Sequence, residues 1–221
     1  MATAKTGLGL LVATSVCLWA SLGCQPGGQG DPCIPEDEYT TSFSGYDEDE
    51  VNVESRSFQC ETRVCLVNHF RGRVSCPYGQ DETDISSYGG EDDRRCHIPG
   101  TTGAKPTDAV DVPVKPQLYK RRAERSVYCS CRCKNAQGKT DDGSVYCDCA
   151  SGFTCTQLID DLGLGSARLS GAYCIRNGTE FNDKAPPGDP CEKEGVERRE
   201  PDGCSPLGDD CKLACGDRQP Y

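Results

Sequence analysis

The segment Val127-Tyr128-Cys129-Ser130-Cys131-Arg132-Cys133 carries cysteines at alternate positions, and Val145-Tyr146-Cys147-Asp148-Cys149 resumes the pattern after a turn-rich segment, 134–144. Side chains alternate between the two faces of a β-strand, so each segment predicts a strand with one sulfur-lined face. The opposite, polar face is expected to carry Ser130, Arg132 and Asp148. We therefore predict a β-hairpin whose cysteines form disulfide bonds.

Disulfide bonds are expected to hold the fold because large apolar side chains are scarce. The 198 residues from Cys24 onward contain only 29 Leu, Ile, Val and Phe residues, too few for burial to offset the entropy of ordering the chain. After Cys24 there are 16 cysteines, an even number that permits complete pairing in an oxidising compartment. We predict a small disulfide-rich fold, mostly loops with short β-hairpins and one or two short helices. The disulfide candidates are Cys33, Cys60, Cys65, Cys76, Cys96, Cys129, Cys131, Cys133, Cys147, Cys149, Cys155, Cys174, Cys191, Cys204, Cys211 and Cys215.

The cysteines fall into three groups that predict three modules. Module 1 (33–97) has five, module 2 (128–184) has seven and a small C-terminal module (185–221) has four. The Pro-rich, basic segment 98–127 predicts an extended, solvated linker between the first two. A group with an odd number of cysteines cannot pair completely within itself. The simplest arrangement therefore has one disulfide between modules 1 and 2.

The N-terminus has the features of a bacterial export signal. Lys5 precedes an apolar run, 7–19, that is shorter than the roughly 20 residues needed to span a bilayer. The following Ser21-Leu22-Gly23-Cys24 resembles the lipobox of bacterial lipoproteins, in which the cysteine is diacylated on sulfur. That resemblance implies a signal peptide over 1–23 and a lipid on Cys24. Ser21 stands where the family usually has Leu, so plain secretion is the alternative.

Two further features concern the anchor. Gln25 follows the cysteine, and in similar lipoproteins a residue other than Asp at this position favours the outer membrane. Residues 24–32 are rich in glycine and predict a flexible tether between the lipidated Cys24 and the folded part.

Longer stretches extend the resemblance to known proteins. Five segments of the exported region carry a further likeness: 51–54, 60–68, 75–80, 128–133 and 171–174. On these segments the exported region resembles cysteine-rich lipoproteins of myxobacterial type, and the resemblance implies the compartment and no mechanism. The shorter run Cys147–Phe153 resembles the C-terminal hairpin of EGF-like domains, and the resemblance implies that Phe153 packs over a disulfide.

Other local patterns predict regular structure. Arg63–Val67 and Arg73–Cys76 are short β-prone runs that predict a hairpin. Gln157–Leu162 predicts a short helix that ends before Gly163, and Asp209–Cys215 predicts another helical turn.

Charge and side-chain chemistry narrow the function. A net charge of −11 argues against nucleic acid as a partner. His69 and His97 are the only histidines; neither lies near a recognisable nucleophile motif, and we expect both in exposed loops. The acidic runs 36–38 and 47–50 lack EF-hand spacing and are expected to be solvated. We expect no cofactor.

These observations favour an envelope-anchored binding or structural module over an enzyme. It would attach to the membrane through its N-terminal lipid and contact an envelope protein or surface ligand. Two alternatives stay open: an extracytoplasmic enzyme that is metal-dependent or uses acidic groups with a histidine, and a thiol protein that binds zinc or an iron–sulfur cluster through its Cys-x-Cys runs.

Overall fold

The computed structural model describes residues 26–86, 95–101, 105–161, 163, 168–182 and 188. The strands of this part form two antiparallel sheets of three strands each. The first sheet has the order β1 (Val51–Glu54), β2 (Val64–Asn68), β3 (Val127–Ser130). The second has the order β4 (Arg132–Lys134), β6 (Gly171–Arg176), β5 (Phe153–Ile159). The helical pieces are α1 (Glu82–Ser86), α2 (Ala123–Ser126) and the 3-10 turns Glu36–Tyr39 and Pro106–Asp108.

The segment 127–133 runs through both sheets. Its first part, β3, pairs with β2, and β4 begins two residues later and pairs with β6. Between them lies Cys131, whose carbonyl accepts a hydrogen bond from the Cys174 amide at 3.1 Å. The strand alternation is interrupted there, so Cys129 packs in a different cluster from Cys131 and Cys133. The prediction of one sulfur-lined face for all three is wrong.

The predicted polar face of that hairpin is also wrong. Ser130 and Arg132 are buried because both sides of this segment are covered. The Ser130 hydroxyl donates to the Cys174 carbonyl at 2.8 Å, and Arg132 donates to the Ser170 carbonyl. The second predicted arm, 145–149, forms no strand. β6, which is distant in sequence, takes its place beside β4.

Two other local predictions are corrected in the same way. β2 pairs with β1 and β3, whereas Arg73 and Cys76 form only an isolated bridge with each other. No hairpin joins these two runs. The first half of the predicted helix Gln157–Leu162, Gln157–Ile159, instead belongs to strand β5, because its backbone pairs with β6.

The sheets meet through a shared apolar cluster, and each has a cysteine-rich cluster on its other side. Alternate residues of each inner strand serve the two sides, as the pleat requires. The shared cluster contains Leu66, Tyr128, Tyr173 and Ile175. Behind the first sheet lie Cys33, Tyr46, Cys60, Cys65, Val67, Phe70, Val127 and Cys129. Behind the second sheet lie Cys131, Cys133, Ala172 and Cys174, with Cys147, Cys149, Phe153 and Cys155 against them.

Six disulfides join the described cysteines, and the predicted fold class, small and disulfide-rich with short strands and mostly loops, is confirmed. The predicted disulfide between the first two cysteine groups is Cys60–Cys129, which ties the segment before β2 to β3. The other five pairs are Cys33–Cys65, Cys76–Cys96, Cys131–Cys147, Cys133–Cys155 and Cys149–Cys174.

The segment 98–127 is not a solvated linker where the structure describes it. Val110, Val114 and Leu118 are almost fully buried. The Gln80 side chain donates to the carbonyls of Val110 and Val112, at 3.0 and 2.6 Å. This segment therefore packs against module 1, and Val110 and Val114 share a small core with the Cys76–Cys96 disulfide.

The glycine-rich stretch before Cys33 is docked rather than free. The Gly27 amide donates to the Gln59 carbonyl at 2.7 Å, and the Gly30 amide donates to the Cys129 carbonyl at 2.8 Å. The Cys129 amide in turn donates to Asp31 at 2.8 Å. From Gly27 onward the predicted flexible tether is therefore part of the fold.

A buried ion pair supports the first module. Arg73 and Glu38 are both fully buried, with Nε and Oε2 4.0 Å apart. The Arg73 guanidinium donates to the carbonyls of Glu38, Thr40 and Phe43. Burial raises the pKa of Glu38, against the lowering effect of hydrogen bonds from the Ser75 and Val74 amides and of the Arg73 charge.

Several predictions fall on residues outside the described part. They concern the signal peptide 1–23, the lipid on Cys24, the helical turn 209–215 and four disulfide candidates, Cys191, Cys204, Cys211 and Cys215.

Candidate functional site

The densest group of reactive side chains lies behind the second sheet, where three disulfides are in contact. We call these six cysteines the sulfur cluster: Cys131, Cys133, Cys147, Cys149, Cys155 and Cys174. Each of the three bridges joins one buried cysteine to one half-buried cysteine. The buried members are Cys131, Cys133 and Cys174, and the half-buried members are Cys147, Cys149 and Cys155.

Strand register brings these sulfurs together. Cys131 and Cys133 flank Arg132 at alternate positions, so both side chains reach the same side of the second sheet. Cys155 on β5 lies directly opposite Cys174 on β6. Cys155 is bonded to Cys133 and Cys174 is bonded to Cys149. This cross-strand pair therefore places two disulfides next to each other.

The bridge Cys149–Cys174 connects two triplets of sulfur atoms. Cys174 Sγ lies 3.8 Å from Cys131 Sγ and 3.8 Å from Cys147 Sγ. At the other end, the sulfurs of Cys149, Cys133 and Cys155 lie within 4.8 Å of one another. Both ends of this bridge therefore touch a neighbouring disulfide.

Polar groups border the cluster on the side of the docked N-terminal stretch. The Gln29 side-chain amide donates to Cys131 Sγ at 3.0 Å and to the Asp148 carbonyl at 2.9 Å. Its oxygen accepts a hydrogen bond from the Ala150 amide at 2.9 Å. Gln29 thereby fixes the loop that carries Cys147 and Cys149. The sequence gives no signal for this role, since Gln29 lies within a glycine-rich run.

Phe153 covers part of the cluster. Its ring packs against the cluster and, at its other edge, forms an edge-to-face contact with Tyr128 at 5.6 Å between centroids. The Arg176 guanidinium lies 5.1 Å from the Phe153 ring centroid. The expected packing of Phe153 over a disulfide is confirmed, although the surrounding loop is no hairpin.

The spacing of the sulfurs bears on the metal-binding alternative. Each triplet has its sulfur atoms as close together as ligands of one metal ion. In the structure these sulfurs are bonded in pairs, and a disulfide sulfur is not the thiolate that such ions require. These six cysteines could therefore bind a metal ion only after their disulfides are reduced.

His69 is half-buried, contrary to the expectation of an exposed loop. Its Nδ1 donates to the Glu48 backbone carbonyl at 3.1 Å, and its ring stacks on Phe181 at 3.8 Å between centroids. Burial is the main cause that lowers the pKa of His69, and the Arg121 charge adds to it. These contacts hold the turn after β2, where His69 has a φ of 51°.

His97 is also partly buried. Its backbone forms an isolated bridge with Ala109, in the segment that packs against module 1. The ring Nε2 is buried and has no hydrogen-bond partner within the described residues. The structure therefore places the two histidines in separate parts of module 1 and brings neither into the sulfur cluster.

The two acidic runs differ from each other. In 36–38, Glu38 is the fully buried partner of Arg73, so the expectation that this run is solvated is wrong for that residue. In 47–50, Asp47 forms an exposed ion pair with Lys115 at 2.5 Å. Sequence reasoning missed the Glu38–Arg73 pair because its members lie 35 residues apart.

Within the described residues, no helix has the length and apolar character needed to cross a membrane. Comparison of the chain with protein-family models, with curated proteins and with solved structures found no match.

Proposed function

We propose that this chain is an envelope-anchored module, lipidated at Cys24, that serves a binding or structural role outside the cytoplasm. The observation that carries the proposal is the set of six disulfides in a chain that contains the lipobox-like motif Ser21-Leu22-Gly23-Cys24. Disulfides persist in oxidising compartments, and here five of the six described strands, β2 to β6, each carry a disulfide-bonded cysteine. A second candidate, the thiol metal protein, is favoured by the two sulfur triplets.

The docked N-terminal stretch determines how such a module would sit at the membrane. Gly27 is hydrogen-bonded to Gln59, and only two residues separate Gly27 from Cys24. Three residue steps extend at most about 11 Å. A lipid on Cys24 therefore holds the folded part directly against the bilayer surface.

One exposed side-chain pair close to that anchor has the character of a protein-binding surface. The Phe58 side chain is 79% exposed, and the Arg63 guanidinium lies 4.0 Å from its ring centroid. Aromatic residues and arginine are enriched among the residues that dominate binding energy. We propose that this pair contacts a neighbouring envelope protein.

The anchor is tested by Cys24→Ser. We expect the variant to move from the membrane fraction to the soluble fraction, because serine lacks the sulfur atom to which the lipid is attached. Quantitative fractionation with immunodetection measures the shift. A variant that stays fully in the membrane fraction would show that lipid on Cys24 is not the anchor.

The binding surface is tested by chemical cross-linking in intact envelopes. Phe58→Ser should remove a cross-linked species that the unaltered protein gives. Val145→Ser is the matched control, because Val145 is 94% exposed and lies in the other half of the fold. Loss of the species in both variants, or in neither, argues against a role for Phe58.

The metal-binding candidate is tested on the purified exported protein by a free-thiol count beside elemental analysis. The disulfide module predicts no thiol and no bound metal. Zinc or iron in stoichiometric amount, together with free thiols, would favour the thiol metal protein instead.

A further inference from the structure

We propose that the sulfur cluster is a site of thiol–disulfide exchange, in which an external dithiol opens the Cys149–Cys174 bridge and the exchange passes on to the neighbouring Cys131–Cys147 bridge. The inference does not depend on the lipid anchor. It rests on the sulfur–sulfur contacts, on the exposure of each cysteine and on the position of Gln29.

The exposure pattern fixes where an external thiol attacks. Cys149 is half-buried, whereas its partner Cys174 has no exposed surface. An incoming thiolate therefore reaches Cys149 Sγ and expels the Cys174 thiolate into the interior. Each of the other two bridges likewise joins a half-buried cysteine to a buried one, and the buried partners are Cys131 and Cys133.

The expelled thiolate lies beside a second disulfide. Cys174 Sγ is 3.8 Å from both sulfurs of the Cys131–Cys147 bridge. These equal distances place it at the side of the bond, whereas exchange requires attack along the S–S axis. Release from Cys149 frees the Cys174 side chain to rotate, and rotation about its Cα–Cβ bond supplies that alignment.

The exchange balances as follows. One thiolate of the dithiol bonds to Cys149 Sγ, and the Cys149–Cys174 bond breaks. The Cys174 thiolate then bonds to Cys147 Sγ, and the Cys131–Cys147 bond breaks to leave a thiolate on Cys131. The second thiol of the donor attacks the mixed disulfide and releases Cys149. The donor leaves as a disulfide, and the protein holds a Cys147–Cys174 bridge and two thiols, at Cys131 and Cys149.

A hydrogen bond from Gln29 favours the formation of this product. Its side-chain amide already donates to Cys131 Sγ at 3.0 Å. A hydrogen bond to a charged sulfur is stronger than one to a neutral sulfur, so the contact favours the Cys131 thiolate as leaving group. The two thiols of the reduced cluster are thus expected on Cys131 and Cys149 rather than on the original pair Cys149 and Cys174.

The other described disulfides supply internal controls. Cys76–Cys96 belongs to neither of the sulfur groups formed by the other bridges. Cys33–Cys65 and Cys60–Cys129 do touch one another, but all four of their cysteines are fully buried. External thiols should therefore reach these pairs last.

The test treats the folded, full-length protein with a limiting amount of dithiothreitol, blocks thiols with iodoacetamide and maps labels and bridges by mass spectrometry. We expect label on Cys131 and Cys149 together with a Cys147–Cys174 crosslink. Gln29→Leu should shift label from Cys131 towards Cys174. Label confined to the two members of an original pair, with the other bridges native, would overturn the proposal.

A variant isolates the internal step. Cys149→Ser leaves Cys174 as a thiol, and we expect bridges from Cys174 to Cys131 or Cys147 to form without any reductant. Cys96→Ser is the matched control, since it frees Cys76 away from the cluster and should produce no new pairing. A Cys149→Ser protein with Cys131–Cys147 intact and Cys174 free would contradict the exchange, and the dithiothreitol experiment decides the matter if this variant does not fold.

Discussion

Different kinds of side chain pack against the outer sides of the two sheets. Behind the first sheet, Tyr46, Val67 and Phe70 pack around cysteines that are fully covered. Behind the second sheet, the buried cluster is three cysteines and Ala172, and half-buried cysteines complete it. Disulfides therefore reinforce an apolar core in the first case and replace one in the second. A chain with few large apolar residues can still form two packed sheets in this way.

The largest expected effect is that of full reduction. Each disulfide contributes roughly 2–4 kcal/mol, whereas a whole domain is stable by only about 5–15 kcal/mol. Loss of all six should therefore unfold both sheets without denaturant. Because half-buried sulfurs react first, β5 should lose amide protection before β2. Hydrogen exchange followed by mass spectrometry, during reduction with dithiothreitol, measures the order.

Two results would alter the comparison. Simultaneous loss of β5 and β2 would mean that the sheets unfold as one unit and that sulfur exposure does not separate them. Protection of β2 that survives complete reduction would mean that the apolar residues behind the first sheet suffice to hold it.

The next largest effect concerns the buried ion pair between Arg73 and Glu38 in module 1. Arg73→Met leaves the Glu38 carboxylate buried without its cation, and it removes hydrogen bonds to the Thr40 and Phe43 carbonyls. Loss of one partner of a buried pair costs about 3–5 kcal/mol. Chemical denaturation with the disulfides intact should show a fall of that size in the free energy of unfolding.

Lys115→Met is the matched control for Arg73→Met. Lys115 pairs with Asp47, but both side chains are more than half exposed. Exposed pairs contribute roughly 0–1 kcal/mol. Equal effects of the two substitutions would show that Arg73 contributes no more than an ordinary surface cation.

The sequence was informative where counting suffices. The scarcity of apolar residues together with the abundance of cysteine predicts a disulfide-rich fold, and an odd number of cysteines in each of the first two groups predicts a bridge between them. Cys60–Cys129 is that bridge. Both arguments rest on residue counts and do not depend on the path of the chain. Both predictions are confirmed.

The sequence was less informative where distant segments compete with local patterns. Gln157–Leu162 favours a helix locally, but pairing with β6 makes its first half, Gln157–Ile159, part of a strand. In 98–127 the prolines suggested a solvated linker, although Val110, Val112 and Val114 already alternate as in a half-buried strand. Gln29 gave no signal at all, because its role depends on sulfur and loop atoms more than 100 residues away.

Two glycines with nearly the same positive φ allow the packing around the two sheets to be compared. Gly72 beside the first sheet and Gly152 beside the second have φ values of 86° and 87°. A Cβ on Gly72 would overlap the Lys115 carbonyl, whereas a Cβ on Gly152 has no neighbour within 4 Å. Gly152→Ala should cost about 1–2 kcal/mol from the left-handed conformation alone. Gly72→Ala should cost roughly 1–3 kcal/mol more.

Thermal unfolding of the two alanine variants, at fixed pH and with disulfides intact, measures the difference. Equal losses of stability would mean that the segment around Lys115 yields readily. That result would weaken the conclusion that the segment 98–127 is firmly packed against module 1.

The smallest expected effect is a pH dependence confined to the first side, since the described part of the second sheet and its loops contains no histidine. Burial lowers the pKa of His69 in the folded protein, so the unfolded chain binds a proton more readily. Stability is therefore full above the unfolded pKa of about 6.5 and falls as the pH drops from there towards the lower folded pKa. In the second half of the fold, the pKa of Asp142 is lowered to about 2, well below this range.

Hydrogen exchange at about pH 7.5 and about pH 5.5, corrected for intrinsic rates, should show weaker protection of β2 at the lower pH and little change in β5. His69→Asn, which tolerates the positive φ, should abolish the difference in β2. A pH dependence that persists in this variant would assign it to another group.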